Sequence, residues 1–573
     1  MKITGMPGGT DLTLRPFLWR AENLYPDTEV VSRTHDGIDR YSYAEYADRT
    51  AQLANALDAA GIEQGDRVAT FCWNHHRHFE TYFGVPTIGA QLHTINPLLP
   101  DEHIQYIVGN AEDRIVFVDP SLVDKLAGAA EDAVGFDGVE FVVMGEAVPE
   151  TTLEPVTDYE SFIADRDTEY DWPDLDEEQP AGMCYTSGTT GRPKGVEYTH
   201  KMLWAHTMES LSPAGIPMDD DDVVMPVVPM FHVNAWGMPF TATAGGSKHV
   251  YPGPSPDPED LAKLIEEEGV TITTGVPTVW LGLMEYAEEN ELDLSALDSV
   301  IVGGSAAPRA MIEWFDDRDV ELLHAWGMTE MSPIGSVAHL KADLEDEAYE
   351  TQLKKRSKQG LFVPGLEFRV VDDDGNEVPW NGEDFGELYV RGPSVTTEYF
   401  KRPDANEEDF VAVPGSGASG ESEEGSSSGR WLETGDIVTV DEDGYIKIVD
   451  RAKDVIKSGG EWISSVELEN SIMAHDDVSE AAVVGVPHER WQERPVAFVV
   501  PAEGADEGTL REGIYEMLRE KYPKWWLPDE IEFIDEVPKT ATGKFSKKDL
   551  REEHVDASLV EGQVPEEAAP DDD

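Results

Sequence analysis

The chain has 573 residues, and its 43 Lys and Arg against 116 Asp and Glu give a formal net charge of −73. Hydrophobic residues make up 40 % of the sequence, enough for a large core, so we do not expect a wholly disordered chain. The charge argues against nucleic acid or an anionic membrane as the main partner, because both are negative themselves. There is no signal-peptide pattern at Met1–Thr10, no apolar run of about 18 residues and only two cysteines, so we expect a cytoplasmic protein without a membrane segment.

The acidic residues are spread along the whole chain, with runs at Asp219–Asp222, Glu266–Glu268 and Asp372–Asp374. At ordinary salt this much like charge repels and loosens a compact fold. At about 1 M salt the Debye length is only about 3 Å, which mutes the repulsion. We therefore predict a surface adapted to a salt-rich cytoplasm, as in halophiles. The alternative is an acidic protein with ordinary solvated faces.

The predicted elements alternate between helix and strand from about residue 10 onward, which indicates α/β layers. The alternation runs through Tyr43–Ala60, Arg67–Cys72, Phe79–Gly89, Ile115–Val118, Val139–Met144, Val223–Val228, Lys248–Tyr251, Leu261–Glu268, Thr271–Thr274 and Ser299–Val302. From Phe368 to Val390 the pattern changes to short strands with Asp-Gly and Asn-Gly turns, typical of a β-rich subdomain. Pro414–Gly429 is rich in Gly, Ser and Glu and predicts a flexible loop, and the tail after Arg551 predicts partial disorder.

The segment Tyr185–Val196, which reads YTSGTTGRPKGV, carries the strongest chemical signal. Backbone N–H groups in a Gly-rich turn form an anion-binding concavity, to which hydroxyls add donors and a lysine adds charge. We interpret the segment as a phosphate cradle, with a Ser/Thr/Gly surface loop as the alternative. It is not a Walker A loop, because Pro193 stands where that pattern needs glycine. The residues of the cradle are Thr186, Ser187, Gly188, Thr189, Thr190, Gly191 and Lys194.

The segment resembles the phosphate loop of the adenylate-forming superfamily, which includes acyl-CoA synthetases, adenylation domains and luciferases. Further family blocks follow in order: VPMFHVNAWGMPF at Val228–Phe240, VGGSAAP at Val302–Pro308, HAWGMTEMSP at His324–Pro333, GELYVRGPSV at Gly386–Val395, WLETGD at Trp431–Asp436, VDRAKDVIKSGGEWISSVELE at Val449–Glu469 and PKTATGKFSK at Pro538–Lys547. The resemblance implies a mixed α/β fold. A large N-terminal domain, residues 1–450, would contain two layered α/β subdomains and a small β-rich one. A small mobile α+β domain, residues 451–555, and an acidic tail, residues 556–573, would follow.

The resemblance also implies a role for each matched residue. The adenine site would be formed by Gly304, Ser305, Ala306, Ala307, Trp326, Gly327 and Met328. Thr329 and Glu330 would hold the α-phosphate and Mg²⁺, with Thr186 as a second metal ligand. Asp436 and Arg451 would bind the ribose, and Lys453 would be the hinge. Lys544 would contact the carboxylate and α-phosphate during adenylation.

Two further groups of residues are implied by the same resemblance. Ser458, Gly459, Gly460 and Glu461 would line the CoA tunnel. His232, Trp236, Gly303 and Gly327 would line the acyl pocket, with His232 counted among the catalytic residues. No carboxylate for a substrate amine is visible in PMFHVNAWGMPF, which favours fatty acids over amino acids.

The expected reaction is ATP-dependent activation of a medium- or long-chain fatty acid as acyl-AMP, followed by transfer to CoA. Aryl acids, short thioether acids and transfer to a carrier protein remain open alternatives. A luciferase-like oxidoreductase and a non-catalytic nucleotide-binding relative belong to other functional classes. A homodimer is expected from the resemblance alone.

His75, His76 and His78 lack a metal-binding spacing, and Cys184 is expected in an apolar strand.

Overall fold

Apolar strands alternating with helices build two large sheets. The structure is a computed structural model, and it describes residues 10–34, 37–131, 133–186, 192–372, 374–412, 430–458, 461–475, 477–488, 490–502, 504–539 and 545–555. Of these, the residues within 1–367, 390–412 and 416–432 form one compact unit, and those within 368–389, 413–415 and 433–573 form a second. The predicted domain limits at residues 450 and 555 stay predictions, and the predicted loop at Pro414–Gly429 and the predicted disorder of the 556–573 tail lie outside the described residues.

The first unit contains two sheets, whose strands are counted over the described residues. One has seven strands, parallel except for the last, in the order Val156–Asp158, Glu140–Val143, Ile115–Val118, Arg67–Phe71, Gln91–Thr94, Pro180–Tyr185, Gly195–Thr199. The other has nine, with parallel central strands, in the order Leu361–Phe362, Ile334–Val337, Glu321–Gly327, Ser299–Val302, Ile272–Gly275, Val223–Pro226, Lys248–Tyr251, Glu29–Thr34, Gly37–Ser42. These sheets confirm the predicted α/β class.

Helices join the strands and cover them. They are Arg15–Leu24, Tyr43–Ala59, His76–Gly84, Asp101–Ala111, Val123–Ala130, Tyr159–Ile163, His200–Leu211, Met238–Gly245, Pro258–Glu268, Pro277–Glu289, Arg309–Asp316, Tyr349–Arg356 and Pro403–Asp409. Helix starts follow local chemistry: Ser42 and Glu45 form a capping box at the start of Tyr43–Ala59. The nine-stranded sheet packs on a core that includes Trp280 and Phe315, both fully buried. Each such side chain stabilises the fold by about 1.5–3 kcal/mol.

The predicted helix near Phe79–Gly89 is shifted in the structure. It begins at His76, where the His75 side chain accepts a hydrogen bond from the His78 N–H, and it ends at Gly84. Pro86 starts a separate short turn, because proline has no N–H with which to continue the helix. The three histidines are buried and serve the local fold, and the described residues contain no group of three or more His, Cys, Asp or Glu able to hold a metal.

The remaining strands are mainly antiparallel. One five-stranded sheet runs Glu367–Val371, Phe385–Arg391, Trp431–Val440, Phe410–Val411, with Ile446–Arg451 paired to Trp431–Val440. Another in the second unit runs Glu461–Ile463, Ile456–Ser458, Gln492–Pro501, Val478–His488, with Glu530–Phe533 paired to Gln492–Pro501. The helices Ser465–Met473, Glu507–Lys521 and Lys547–His554 complete the second unit. No helix within the described ranges is long and apolar enough to cross a membrane.

Candidate active site

The base of the predicted phosphate cradle is a strand pair. Tyr185 lies opposite Gly195 where Pro180–Tyr185 and Gly195–Thr199 pair antiparallel. The Thr186 N–H donates to the Lys194 carbonyl at 2.9 Å, and the Lys194 N–H donates to Thr186 Oγ1 at 3.3 Å. The two ends of the loop are therefore fixed to each other. The loop itself, Ser187, Gly188, Thr189, Thr190 and Gly191, lies outside the described residues.

The Lys194 ammonium has two partners that lie more than 200 positions away in sequence. Its Nζ lies 2.5 Å from Asp409 Oδ2 and 4.6 Å from the centre of the Tyr399 ring. Asp409 is the last residue of the short helix Pro403–Asp409. No sequence motif distinguishes Asp409 from the other acidic residues of the chain, which has 116 of them. Tyr399 was not predicted either, because it lies just after the GELYVRGPSV block and not within it. Only the tertiary structure identifies the pair.

The Thr329–Glu330 pair lies in a short helical turn, Thr329–Met331. The Tyr198 hydroxyl donates to the Thr329 carbonyl at 2.8 Å, and the Tyr399 hydroxyl donates to Glu330 Oε1 at 2.8 Å. Burial, together with the nearby Glu330 charge, raises the pKa of Tyr399 far above its usual value, so its hydroxyl keeps the proton that it donates. Glu330 is only 7 % exposed. Tyr399 thus connects the two predicted site residues Lys194 and Glu330.

Trp326, the predicted adenine platform, is 8 % exposed. A Cβ atom at Gly335 would lie 2.6 Å from its indole, so glycine is needed there, and Phe362 meets the ring edge-on at a centroid distance of 5.9 Å. Gly327 and Met328 turn back toward Pro333, whose carbonyl accepts the Met328 N–H at 3.0 Å. Stacking on adenine stays a prediction.

The other predicted adenine face follows the strand Ser299–Val302. Gly304, at φ +80°, and Ser305 are exposed, Ala306 is half-buried and Ala307 is buried. The positive φ of Gly304 is a backbone conformation that favours glycine. This turn at the carboxyl end of a parallel strand is a common place for a ligand in α/β folds.

The predicted acyl-pocket segment contains a left-handed turn. Val233, Asn234, Ala235 and Trp236 have φ values of 45°, 56°, 49° and 55°. For residues with a side chain this conformation costs about 1–2 kcal/mol each. Trp236 is half-buried, and its ring atom Cη2 would lie 3.1 Å from a Cβ at Gly303. The structure thus brings together two of the predicted pocket residues, while half-buried His232 directly precedes the turn.

Distant side chains hold the chain that leads into this turn. Asn74 Nδ2 donates to the carbonyls of Pro226 and Val228, each at 2.9 Å, and Asn74 Oδ1 accepts from the Met230 N–H at 2.6 Å. The Tyr82 hydroxyl donates to the Met230 carbonyl at 2.6 Å. Strained backbone persists where surrounding contacts over-determine it, often at functional sites. Neither Asn74 nor Tyr82 was predicted as a site residue, because their partners lie about 150 positions away in sequence.

In the second unit, Asp436 and Arg451 are cross-strand partners on Trp431–Val440 and Ile446–Arg451. Arg451 Nε lies 3.0 Å from Asp436 Oδ1, and the Asp436 side chain is 2 % exposed whereas the Arg451 side chain is 46 % exposed. The pair predicted to bind ribose is therefore assembled within this unit. Lys453 follows, and desolvation of its ammonium, together with nearby Arg451 and Arg551, lowers its pKa, which the charge of Asp454 partly opposes.

Ser458 ends the strand Ile456–Ser458 and is buried. Its predicted companions in the CoA segment, Gly459, Gly460 and the side chain of Glu461, lie outside the described residues, as does Lys544. Their predicted roles stay predictions.

Comparison with known families matches two models to this chain. The model described as AMP-binding enzyme matches residues 18–400, and the model described as AMP-binding enzyme C-terminal domain matches residues 467–544.

Curated relatives extend the similarity to almost the full length. A long-chain-fatty-acid–CoA ligase from Thermus thermophilus is 43 % identical over 95 % of this chain and 96 % of its own. A 3-methylmercaptopropionyl-CoA ligase from Ruegeria pomeroyi is 42 % identical over 91 % and 93 %. A medium-chain-fatty-acid–CoA ligase from Ectopseudomonas oleovorans is 39 % identical over 96 % and 97 %. Among solved structures, ATP-bound MatB from Rhodopseudomonas palustris aligns with a TM-score of 0.79 at 25 % identity, covering 95 % of this chain and 99 % of its own.

Proposed function

This chain belongs to the AMP-binding enzyme family, and we propose that it is an ATP-dependent acyl-CoA ligase acting on a medium- or long-chain fatty acid. The observation that carries the proposal is the buried Glu330 carboxylate, which Tyr399 connects to Lys194 at the base of the phosphate cradle. A charged, hydrogen-bonded oxygen ligand and an ammonium are the groups that MgATP requires. Full-length similarity to two fatty-acid–CoA ligases supports the substrate class.

In the first step, a carboxylate oxygen of the acid attacks the α-phosphorus of ATP. The new O–P bond gives acyl-AMP, and the bond to the β-phosphate breaks with release of pyrophosphate. Lys194 and the cradle N–H groups would bind the phosphates, and Glu330 and Thr186 would hold Mg²⁺, which shields the phosphate charge when bound. Glu330 fits a hard cation because it is a buried carboxylate oriented by a neutral donor. Further Mg²⁺ ligands would be phosphate and water oxygens.

In the second step, the CoA sulfur attacks the acyl carbonyl. The C–S bond forms, the C–O bond to the phosphate breaks, AMP leaves with that electron pair, and the thiol proton passes to water. Lys544 would serve the first step and the Ser458–Glu461 segment the second. Positioning and charge stabilisation would dominate both steps.

A panel of acids from acetate to palmitate, with benzoate and 3-methylmercaptopropionate, tests the proposal through CoA-dependent AMP release at high salt. We expect the highest kcat/KM for a medium or long aliphatic chain, because each buried CH₂ adds about 0.8 kcal/mol. The similarity to the Ruegeria relative makes a short thioether acid the second candidate. Preference for an aryl acid would refute the proposed substrate class. No AMP release with any acid would refute the proposed reaction.

Lys544→Ala separates the two half-reactions. It should nearly abolish acid-dependent ATP–pyrophosphate exchange while leaving CoA transfer from supplied acyl-AMP. Lys539→Ala is the matched control, since Lys539 lies in the same block but pairs with Glu480. Equal loss of both half-reactions would contradict the role given to Lys544.

We also propose a cytoplasmic protein adapted to high salt, and the −73 charge supports the salt adaptation. Raising KCl from about 0.1 to 2 M should stabilise the folded state, because salt screens the repulsion among the acidic side chains. It should also speed the binding of ATP and CoA, because salt screens the repulsion between the acidic protein and these anionic substrates. Circular dichroism and activity that do not change over this range would contradict it. The homodimer is likewise a proposal, tested by sedimentation at high salt.

A further inference from the structure

Arg494 is a buried cation with an unusually complete set of acceptors. It lies in the strand Gln492–Pro501 and is 3 % exposed. Its Nη1 donates to Ser458 Oγ at 3.1 Å and to the Trp525 carbonyl at 2.6 Å. Its Nη2 donates to the Leu527 carbonyl at 3.0 Å, and its Nε donates to Asp529 Oδ1 at 2.9 Å. A buried charge is tolerated only when it is paired and hydrogen-bonded in this way.

The guanidinium joins two segments that are far apart in sequence. One is the end of Ile456–Ser458, which directly precedes the predicted CoA glycines, and the other runs from Trp525 to Asp529. The neighbouring strand residues strengthen the first attachment, since Ser458 pairs with Gln492 and Glu493 Oε2 accepts the Lys457 N–H at 2.9 Å. An aliphatic side chain could fill the same volume, but it could not bond Ser458 Oγ and two carbonyls together.

We propose that Arg494 is a positioning residue for the thioester-forming step. It holds Ser458, and hence the start of the CoA segment, at a fixed place relative to residues 525–529, without touching the reacting atoms. This inference rests on the function proposed above. It adds no chemical step, and it predicts that Arg494 affects transfer to CoA but not adenylation.

Arg494→Lys is the first test, because lysine keeps the charge but cannot reach four acceptors in a fixed fork. We expect kcat/KM for CoA, measured from supplied acyl-AMP, to fall about tenfold, as for loss of a charge-assisted hydrogen bond. ATP–pyrophosphate exchange and the KM for ATP should stay within about twofold of wild type. An equal fall in both half-reactions, or no fall in either, overturns the proposal.

Ser458→Ala is a milder second test, since it removes only the hydroxyl that Arg494 contacts. It should lower transfer to CoA about three- to tenfold, and the double variant Ser458→Ala/Arg494→Lys should be no worse than Arg494→Lys alone. Additive losses would mean that the two residues act independently and would overturn the proposal.

Arg511→Lys is the matched control in the same unit. Arg511 donates to the Ile531 carbonyl and lies over the Phe533 ring. It should leave both half-reactions unchanged, and a selective loss of CoA transfer here would count against the assignment to Arg494. A wild-type protein that catalyses exchange but never acylates CoA would instead refute the proposed function.

Discussion

Two carboxylates of the first unit are almost equally buried yet differ in their surroundings. Glu330 is 7 % exposed and Glu209, on the helix His200–Leu211, is 6 % exposed. Glu330 accepts the Tyr399 hydroxyl, whereas neither oxygen of Glu209 has a hydrogen-bond partner among the described residues. Burial raises the pKa of Glu209 to about 7. The Ser394 hydroxyl lies close enough to lower this pKa in part, but it does not make a hydrogen bond of acceptable geometry with the carboxylate. The degree of burial alone therefore does not decide whether a buried carboxylate stays charged. Its hydrogen-bond partners decide this as well.

Glu330→Gln should have the largest effect, because it removes the charge that would hold Mg²⁺ and keeps the shape. We expect ATP–pyrophosphate exchange to fall about 100-fold or more, with little change in the denaturation midpoint. Exchange that stays within about threefold of wild type would show that Glu330 is only a structural carboxylate.

Glu209→Gln should change stability rather than activity. Because the folded-state pKa of Glu209 is raised, its carboxyl favours the folded state fully below the unfolded pKa, and this contribution is lost as the pH rises through about 7. Wild type should therefore lose up to about 3 kcal/mol of unfolding free energy relative to the Gln variant between pH 5 and pH 8.

Urea unfolding of both proteins at the two pH values, at constant high salt, measures this difference. Exchange activity at pH 7 serves as the control and should be unchanged. A difference between variant and wild type that is the same at pH 5 and pH 8 would show that Glu209 does not titrate in this range.

Tyr399→Phe should have a smaller effect than Glu330→Gln or Glu209→Gln, because it removes only one hydrogen bond to Glu330. We expect exchange to fall about five- to tenfold, equivalent to about 1 kcal/mol. Tyr389→Phe is the matched control, because the Tyr389 hydroxyl donates to Glu387 in another sheet region. Equal effects of the two variants would mean that the Tyr399–Glu330 bond has no special role.

Asp409→Asn should have the smallest effect. Neutralising the partner of Lys194 frees its ammonium for phosphate, so the KM for MgATP should fall about two- to threefold. The control is Asp404→Asn, whose carboxylate pairs with Arg402 at the surface. A raised KM would show instead that Asp409 holds Lys194 in its productive position.

Local chemistry explains why many elements were predictable. The capping box at Ser42 fixes the start of Tyr43–Ala59, and the predicted segments Ile115–Val118 and Lys248–Tyr251 coincide with observed strands. The left-handed turn ending at Trp236 was not predictable, because Asn234 is the one residue of the four that favours positive φ, whereas Val233, Ala235 and Trp236 do not. The chain that leads into the turn is hydrogen-bonded by Asn74, whose Oδ1 accepts the N–H of Met230, a residue 156 positions later in the sequence.

Residue type and local spacing specify the family, the order of the motifs, the α/β class and the acidic composition. Tertiary structure decided which groups become partners: Tyr399 reaches Glu330 across 69 residues, and Arg494 reaches Ser458 across 36. It also decided that Glu330 accepts a hydrogen bond, whereas Glu209 accepts none from the part of the chain that the structure describes. The physical reason is that hydrogen bonding and desolvation depend on how distant segments pack, and spacing along the chain does not specify that packing.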